Sequence, residues 1–428
     1  MARTLTPQDC HVLMNALVKQ ATGQSTSSVV DTSSFVSAGE KVLASGVENT
    51  LNALSIVLGR TFMAVRPYKA KLAIISAMNS DLYNSRLRKI SFYSREAKAS
   101  GDWNTQLNGV NLKDGRDNSG VNPDQGATSA TPSMWEQNQP VPLEMNFAGQ
   151  SVWEDSTTVY KYQLKIAFSS EAEFSQFVAG IMTEKGNDIE SQKEAFNRMT
   201  LLNYMAGVVD LDASDPKGRV INLTKAYNDF YNTNYTSAQL RSTYLRSFLE
   251  FMVATIKQTS DYMTHRSTKY HWSPAKTIGD TSYTLLRHTP KDRQKLVMYS
   301  PLFNKAESMV MPEIFNPQYL SIDNYEGVDF WQSFAGNDTD ASINVTPAIP
   351  SGNTQIAGNN VSLDYVVGMI FDTDALMVDY QLEDAESTPL EARKRYYNIW
   401  WSFSKNAIND FTENSVIFIM KDSGEGQK

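Results

Sequence analysis

Cysteine is almost absent from this sequence: Cys10 stands alone in 428 residues. One thiol excludes an intrachain disulfide and fits a reducing compartment. Long apolar runs are missing too. No stretch approaches the roughly 18 residues of a membrane span, so no membrane association is expected. The opening "MARTLTPQDCHVLMNALVKQ" has no apolar signal core and no cleavage-like motif, so secretion is not expected.

The chemistry-bearing patterns are equally sparse. There is no G-x-x-x-x-G-K-[S/T] and no G-x-G-x-x-G, so nothing marks a phosphate-cradling loop. His11, His265, His271 and His288 form no H-E-x-x-H or Cys/His ligand spacing. "DLDASD", with Asp210, Asp212 and Asp215, lacks the glycine and distal glutamate of a calcium loop and reads as a solvated acidic turn. No G-x-S-x-G elbow occurs, and Cys10 sits on a terminal segment where a nucleophile would be poorly held. The expectation is a protein that is not an enzyme, with no metal and no cofactor.

What is present begins with charge. A net −8, with 20% charged and 41% hydrophobic residues, describes an ordinary folded chain and argues against gripping nucleic acid over a broad face. The charge is uneven. From Arg60 to Lys98 there are nine basic residues against Asp81 and Glu96, a local +7. Such a segment is either a solvated basic face or one that docks on an acidic neighbour or a polyanion.

Along the chain, residues 6–20 read as an amphipathic helix, with Thr6 as cap and Pro7 at the first helical position. The Ser/Thr-rich "ATGQSTSSVVDTSSFVSAGE" reads as a flexible or extended arm, and 42–65 as a further apolar helical segment. "KISFYSREAK" and "TTVYKYQLKIAF" (157–168) read as strands flanking about fifty patternless residues, a long arm projecting from the body. Ser170-Glu171-Ala172-Glu173 fits a capping box. It opens a helix to about residue 206, with Gly186-Asn187 as its weak point and Phe174, Phe177, Ile181 and Phe196 on its apolar face. After a loop-rich stretch over 207–235, a second capping box at Thr236 starts a helix ending near Met263. Short strands at 295–300, 342–350 and 365–372, with a short helix over 301–311, suggest an α/β unit. In "RYYNIWWSFSKNAINDFTENSVIFIMKD", Tyr397, Ile399, Trp401 and Phe403 alternate with polar neighbours, and Val416 to Met420 forms another short strand. We read this as a closing hairpin that returns to pack on the long helix.

Asp364 to Val378, "DYVVGMIFDTDALMV", followed by "STPLEARKRYYNIWWSFSKNAINDFTENSVIFIMKD", resembles the C-terminal third of tailed-bacteriophage major capsid proteins with the Hong Kong 97-type fold, podovirus-like members especially. The likeness in sequence spans about 295–422; elsewhere only the order of elements agrees. It implies an α+β capsid fold divided as follows. Residues 1–85 would be an N-terminal arm with leading helices, and 86–168 an E-loop hairpin with an irregular insertion. A P-domain spine helix would span 169–215, an A-domain 216–384, and C-terminal P-domain strands 385–428.

The implied function is self-assembly as hexamers and pentamers into an icosahedral shell around double-stranded DNA. Portal and a separate scaffolding protein would be partners, since no charged helical N-terminal segment supplies a fused scaffold. The location would be the virion, after assembly in the bacterial host cytoplasm. Arg86, Arg88, Lys89, Arg95, Trp103 and Trp135 are then candidate inter-subunit contacts. Phe174, Phe177, Ile181, Phe196, Tyr397, Ile399, Trp401 and Phe403 are candidate P-domain core. The residues alone leave a second reading open, a carbohydrate- or ligand-binding module whose aromatic strand and 101–150 loop line a cleft.

Overall fold

The computed structural model describes residues 7–22, 32–44, 72, 75–77, 86–94, 140–148, 151–160, 163, 166–167, 171–274, 276–278, 281–302, 324–351, 354–389, 391 and 393–422. The chain divides into two compact units. One comprises Met1–Leu87, Phe147–Trp272 and Arg287–Lys428; the other comprises Arg88–Asn146 and Ser273–Leu286.

In chain order, the described elements open with α1 (Pro7–Thr22), α2 (Thr32–Ala44), β1 (Ser76–Ala77), β2 (Arg86–Phe92), β3 (Pro142–Ala148) and β4 (Ser151–Tyr160). The 44-residue helix α3 (Glu171–Ser214) follows, then β5 (Val220–Asn222), α4 (Leu223–Tyr231), α5 (Ser237–Leu240) and α6 (Leu245–Met263). Strands β6 (Lys276–Ile278), β7 (Thr281–Tyr283), β8 (Gln294–Tyr299), β9 (Asn324–Val328), β10 (Ile343–Val345) and β11 (Ala348–Ser351) come next. The chain closes with β12 (Thr354–Ala357), β13 (Val361–Leu363), β14 (Val366–Asp372), β15 (Leu376–Ser387), β16 (Tyr396–Asn409) and β17 (Ser415–Ile419).

Two sheets organise the larger unit. The first runs β1-β15-β16-β4, with β16 antiparallel to both neighbours; the second runs β5-β17-β14-β8-β9. Every residue of β8, β14 and β17 is buried, as expected of strands covered on both faces. Helix α3, about 66 Å long at 1.5 Å per residue, serves both cores. Ile189 packs under β16, while Leu201, Tyr204, Met205, Val208 and Leu211 recur at helical spacing in the core of the second sheet. Tyr204 stacks on Phe411 at 5.0 Å, close enough that Gly207, one turn further on, has no room for a side chain. In the smaller unit β2 pairs with β3 and β6 with β7, and Ser94 bridges Thr284.

Several expectations change. The Ser-rich arm becomes helical over Thr32–Ala44, because Phe35, Ala38 and Val42 share one buried face that its serines conceal from composition. The strand foreseen at 157–168 lies earlier, at Ser151–Tyr160, with Gln163, Ile166 and Ala167 in helical conformation. Helix α3 continues through Gly186-Asn187 and on to Ser214. Asp210 and Asp212 therefore sit in its last turns, not in a solvated acidic turn. The Thr236 capping box forms, but its helix lasts four residues before α6 starts at Leu245. The loop-rich stretch before it holds β5 and α4. The closing hairpin does not form: β16 belongs to the first sheet, and β17 pairs with β14 and β5 in the second. The apolar segment 42–65 lies outside the described residues beyond Ala44, as do Thr6, Ser170 and, after Leu302, the short helix expected over 301–311.

Candidate assembly surface

Period-2 alternation in β16 puts Tyr397, Ile399, Trp401 and Phe403 on one face, each at most 3% exposed. Ile399, Trp401 and Phe403 form a core with Val159 of β4 and Ile189 of α3, with Trp153 and Phe177 against it. Trp153 stacks on Phe403 at 4.6 Å. One ion pair ties the helix to this sheet: the Lys185 ammonium donates to both oxygens of Asp155 at 3.0 Å. Phe196 packs instead on the edge of the second core, under the Lys405 ammonium at 4.9 Å. Phe174 and Ile181 lie on α3, with side chains outside the described residues.

Buried charges fasten the second core. Asp212 accepts from the Lys217 amide at 2.8 Å, the Arg219 amide at 3.3 Å and Arg219 Nε at 3.2 Å, which turns the chain from α3 into β5. The Arg219 side chain is fully buried; burial pushes its pKa down, and Asp212 opposes that. Asp210 accepts from the amide and side chain of Asn359 at 3.0 and 2.8 Å. Arg241 lies over the Tyr365 ring at 4.1 Å and pairs with Asp338 at 2.8 Å. Burial pushes the Tyr365 phenol up, although Arg241 pulls it down. Asp212 with Arg219 and Asp338 with Arg241 are ion pairs and Asp210 is held by Asn359, a structural use of charge that still leaves Arg219 Nη1 without a hydrogen-bond partner among the described residues.

In the smaller unit, Ser91 and Tyr93 are buried while Ile90 and Phe92 are 52% and 57% exposed. Two large apolar side chains facing solvent on a two-stranded ribbon mark a surface waiting for cover. Arg86 and Arg88 occupy strand positions on β2, with side chains outside the described residues. Lys89 is half-buried. Arg95, Trp103 and Trp135 lie outside the described residues altogether. Among the described residues no group of three or more His, Cys, Asp or Glu could hold a metal ion, and no helix is long and apolar enough to cross a membrane.

The family model of Phi29-like phage major capsid proteins matches residues 129–419, more than half the chain. The chain belongs to that family. A Hong Kong 97-type capsid fold is consistent with this membership. No curated protein matches this capsid protein. Among solved structures, the capsid of Staphylococcus phage Andhra is similar at 10% identity and TM-score 0.46, covering 83% of this chain and 85% of that one. A chain in the structure of head fiber and inner core protein gp22 of native bacteriophage P68 is similar at 10% identity and TM-score 0.48, covering 82% and 85%. The capsid of Cyanophage Pam1 follows at 11% identity and TM-score 0.40, covering 80% and 86%.

The ligand-binding reading finds no support. The alternating aromatics it needed for a cleft are spent in the core, and most of the 101–150 loop, residues 101–139, lies outside the described residues.

Sequence reasoning missed Lys185–Asp155 and Arg219–Asp212, whose partners no local pattern announces. It placed Trp400 in the phase of Asn398, Ser402 and Ser404 but gave it no role. That residue occupies a polar phase of the β16 alternation, the one signal that could have flagged it as an aromatic on the solvent face.

Proposed function

We propose that this protein is the repeating subunit of a phage head, assembling through hexamers and pentamers into an icosahedral shell around double-stranded DNA. The observation that carries this is the family match over residues 129–419. Its work is then done by weak contacts multiplied by symmetry, with no catalytic step. Portal and a separate scaffolding protein are its partners during assembly in the host cytoplasm. Helix α3 with the sheet β1-β15-β16-β4 is the P-domain, and the sheet containing β17 is the core of the A-domain. We place the E-loop at 86–148, because β4 pairs with β16 and belongs to the P-domain sheet. The basic strand of that loop docks on an acidic neighbouring copy.

Electron microscopy of the purified full-length protein, alone and with its scaffolding protein, tests this. Closed shells of uniform size are expected. A protein that stays monomeric at every concentration in both mixtures would overturn it.

A further inference from the structure

The solvent face of the first sheet holds an arrangement that the fold does not use. Cross-strand register sets Trp400 directly between Ser156 and Glu386, and Ser402 opposite Glu154. Trp400 is 39% exposed, while Trp401 beside it on the other face is 3% exposed. Glu154, Glu386, Ser387, Thr388, Trp400 and Ser402 line one shallow cleft. Neither glutamate has an ion pair or hydrogen bond among the described residues, and the indole makes no ring contact there. Register adds Asp384 to the same face of β15 and places no Lys or Arg on the matching positions of β4, β15 or β16. Lys405 sits on the opposite face, over Phe196.

An indole flanked by two free carboxylates is matched by a guanidinium. Its plane stacks on the ring and its N–H fork donates to the acids. The chain contains a segment of the required sign. Strand β2 reads "RLRKISF" inside the stretch of local +7. Arg86 and Arg88 precede Ile90 and Phe92 at every second position of that strand, and Ile90 and Phe92 are exposed. The receiving face offers apolar surface as well, with Val152 at 53% and Tyr160 at 39% exposed. Among the described residues no cation pairs with the two glutamates, which leaves them open to one supplied by another copy.

We propose that the Trp400–Glu154–Glu386 face is a guanidinium receptor for Arg86 and Arg88 of a second copy of this chain. This rests on the shell-subunit reading and names the surface on which the basic strand docks. Such a contact is heterologous, one patch on each copy meeting a different patch on the next, as rings and shells require. It also keeps acidic faces from pairing with one another.

The test compares Glu154→Arg/Glu386→Arg, Arg86→Glu/Arg88→Glu and the combination of all four, each expressed full-length with the remaining head proteins of its phage. Each double substitution should cut particle yield by about tenfold or more, and the quadruple variant should recover most of it. A second readout needs no charge reversal. Acrylamide quenching of Trp400, taken as the difference between wild type and Trp400→Phe, should fall when shells form. A quadruple variant as defective as either double overturns the receptor, and so does a Trp400 that stays fully quenchable in shells. If Arg86→Glu/Arg88→Glu blocks assembly while Glu154→Arg/Glu386→Arg assembles normally, the receptor lies elsewhere and the shell reading stands. Wild type that forms no shells under any condition removes the shell reading itself.

Discussion

Gly207 lies under the ring of Phe411: a Cβ at 207 would fall 2.5 Å from two ring carbons, inside any permitted contact. The glycine lets the chain after β16 press its aromatic ring onto helix α3, beside Tyr204. Gly207→Ala should gain up to about 1 kcal/mol of helix propensity and lose about 1–3 to overpacking, for a net loss. A urea melt reads the balance, and a raised midpoint would show that the ring swings aside freely.

Removing Asp212 strands a fully buried guanidinium. Asp212→Ala should cost about 3–5 kcal/mol, whereas Asp212→Ala combined with Arg219→Met should cost markedly less. If the double variant is as unstable as the single one, the carboxylate's bonds to the backbone amides of Lys217 and Arg219 matter more than the ion pair.

Adjacent tryptophans should behave as opposites. Trp401→Ala opens a cavity between sheet and helix, costs roughly 3–5 kcal/mol and should yield insoluble protein. Trp400→Ala changes the exposed face and should leave a soluble chain with a nearly unchanged melting temperature. Equal damage from both would mean that the solvent face of β16 is covered within the monomer.

Salt should separate docking from folding. Replacing Arg86, Arg88 and Lys89 together by Gln should leave monomer melting nearly unchanged and raise the concentration needed for assembly. Each exposed pair contributes up to about 1 kcal/mol, but the contact repeats at every subunit. Added salt should weaken wild-type assembly more than that of the variant, since it screens contacts only the former has. Normal assembly with reduced DNA retention would place the cluster in the lumen.

Local signals carried well wherever periodicity and burial coincide. β16 declares itself because apolar residues alternate over a full strand, and α3 because its buried positions recur at three and four. α2 hid because its buried face, carried among the described residues by Phe35, Ala38 and Val42, lies among serines. β4 hid behind a more apolar stretch downstream: "SVWEDSTT" has little hydrophobic content because its other face is open to solvent. The break between α5 and α6 was illegible because the apolar spacing continues across it, while Tyr244 turns aside to stack on Tyr235 at 4.0 Å.

By itself the sequence determined that the chain is α+β, that it has a long helix and an aromatic strand near its end, and that its C-terminal third resembles phage capsid proteins. These follow from side-chain period and local caps, which act over a few residues. Only the tertiary structure decided where the last two strands go. β16 and β17 are separated by five residues, yet one pairs with β4 and β15 and the other enters between β5 and β14. Strand pairing joins residues hundreds of positions apart, and any buried strand offers the same backbone groups. Which sheet accepts it is settled by which core its side chains complete.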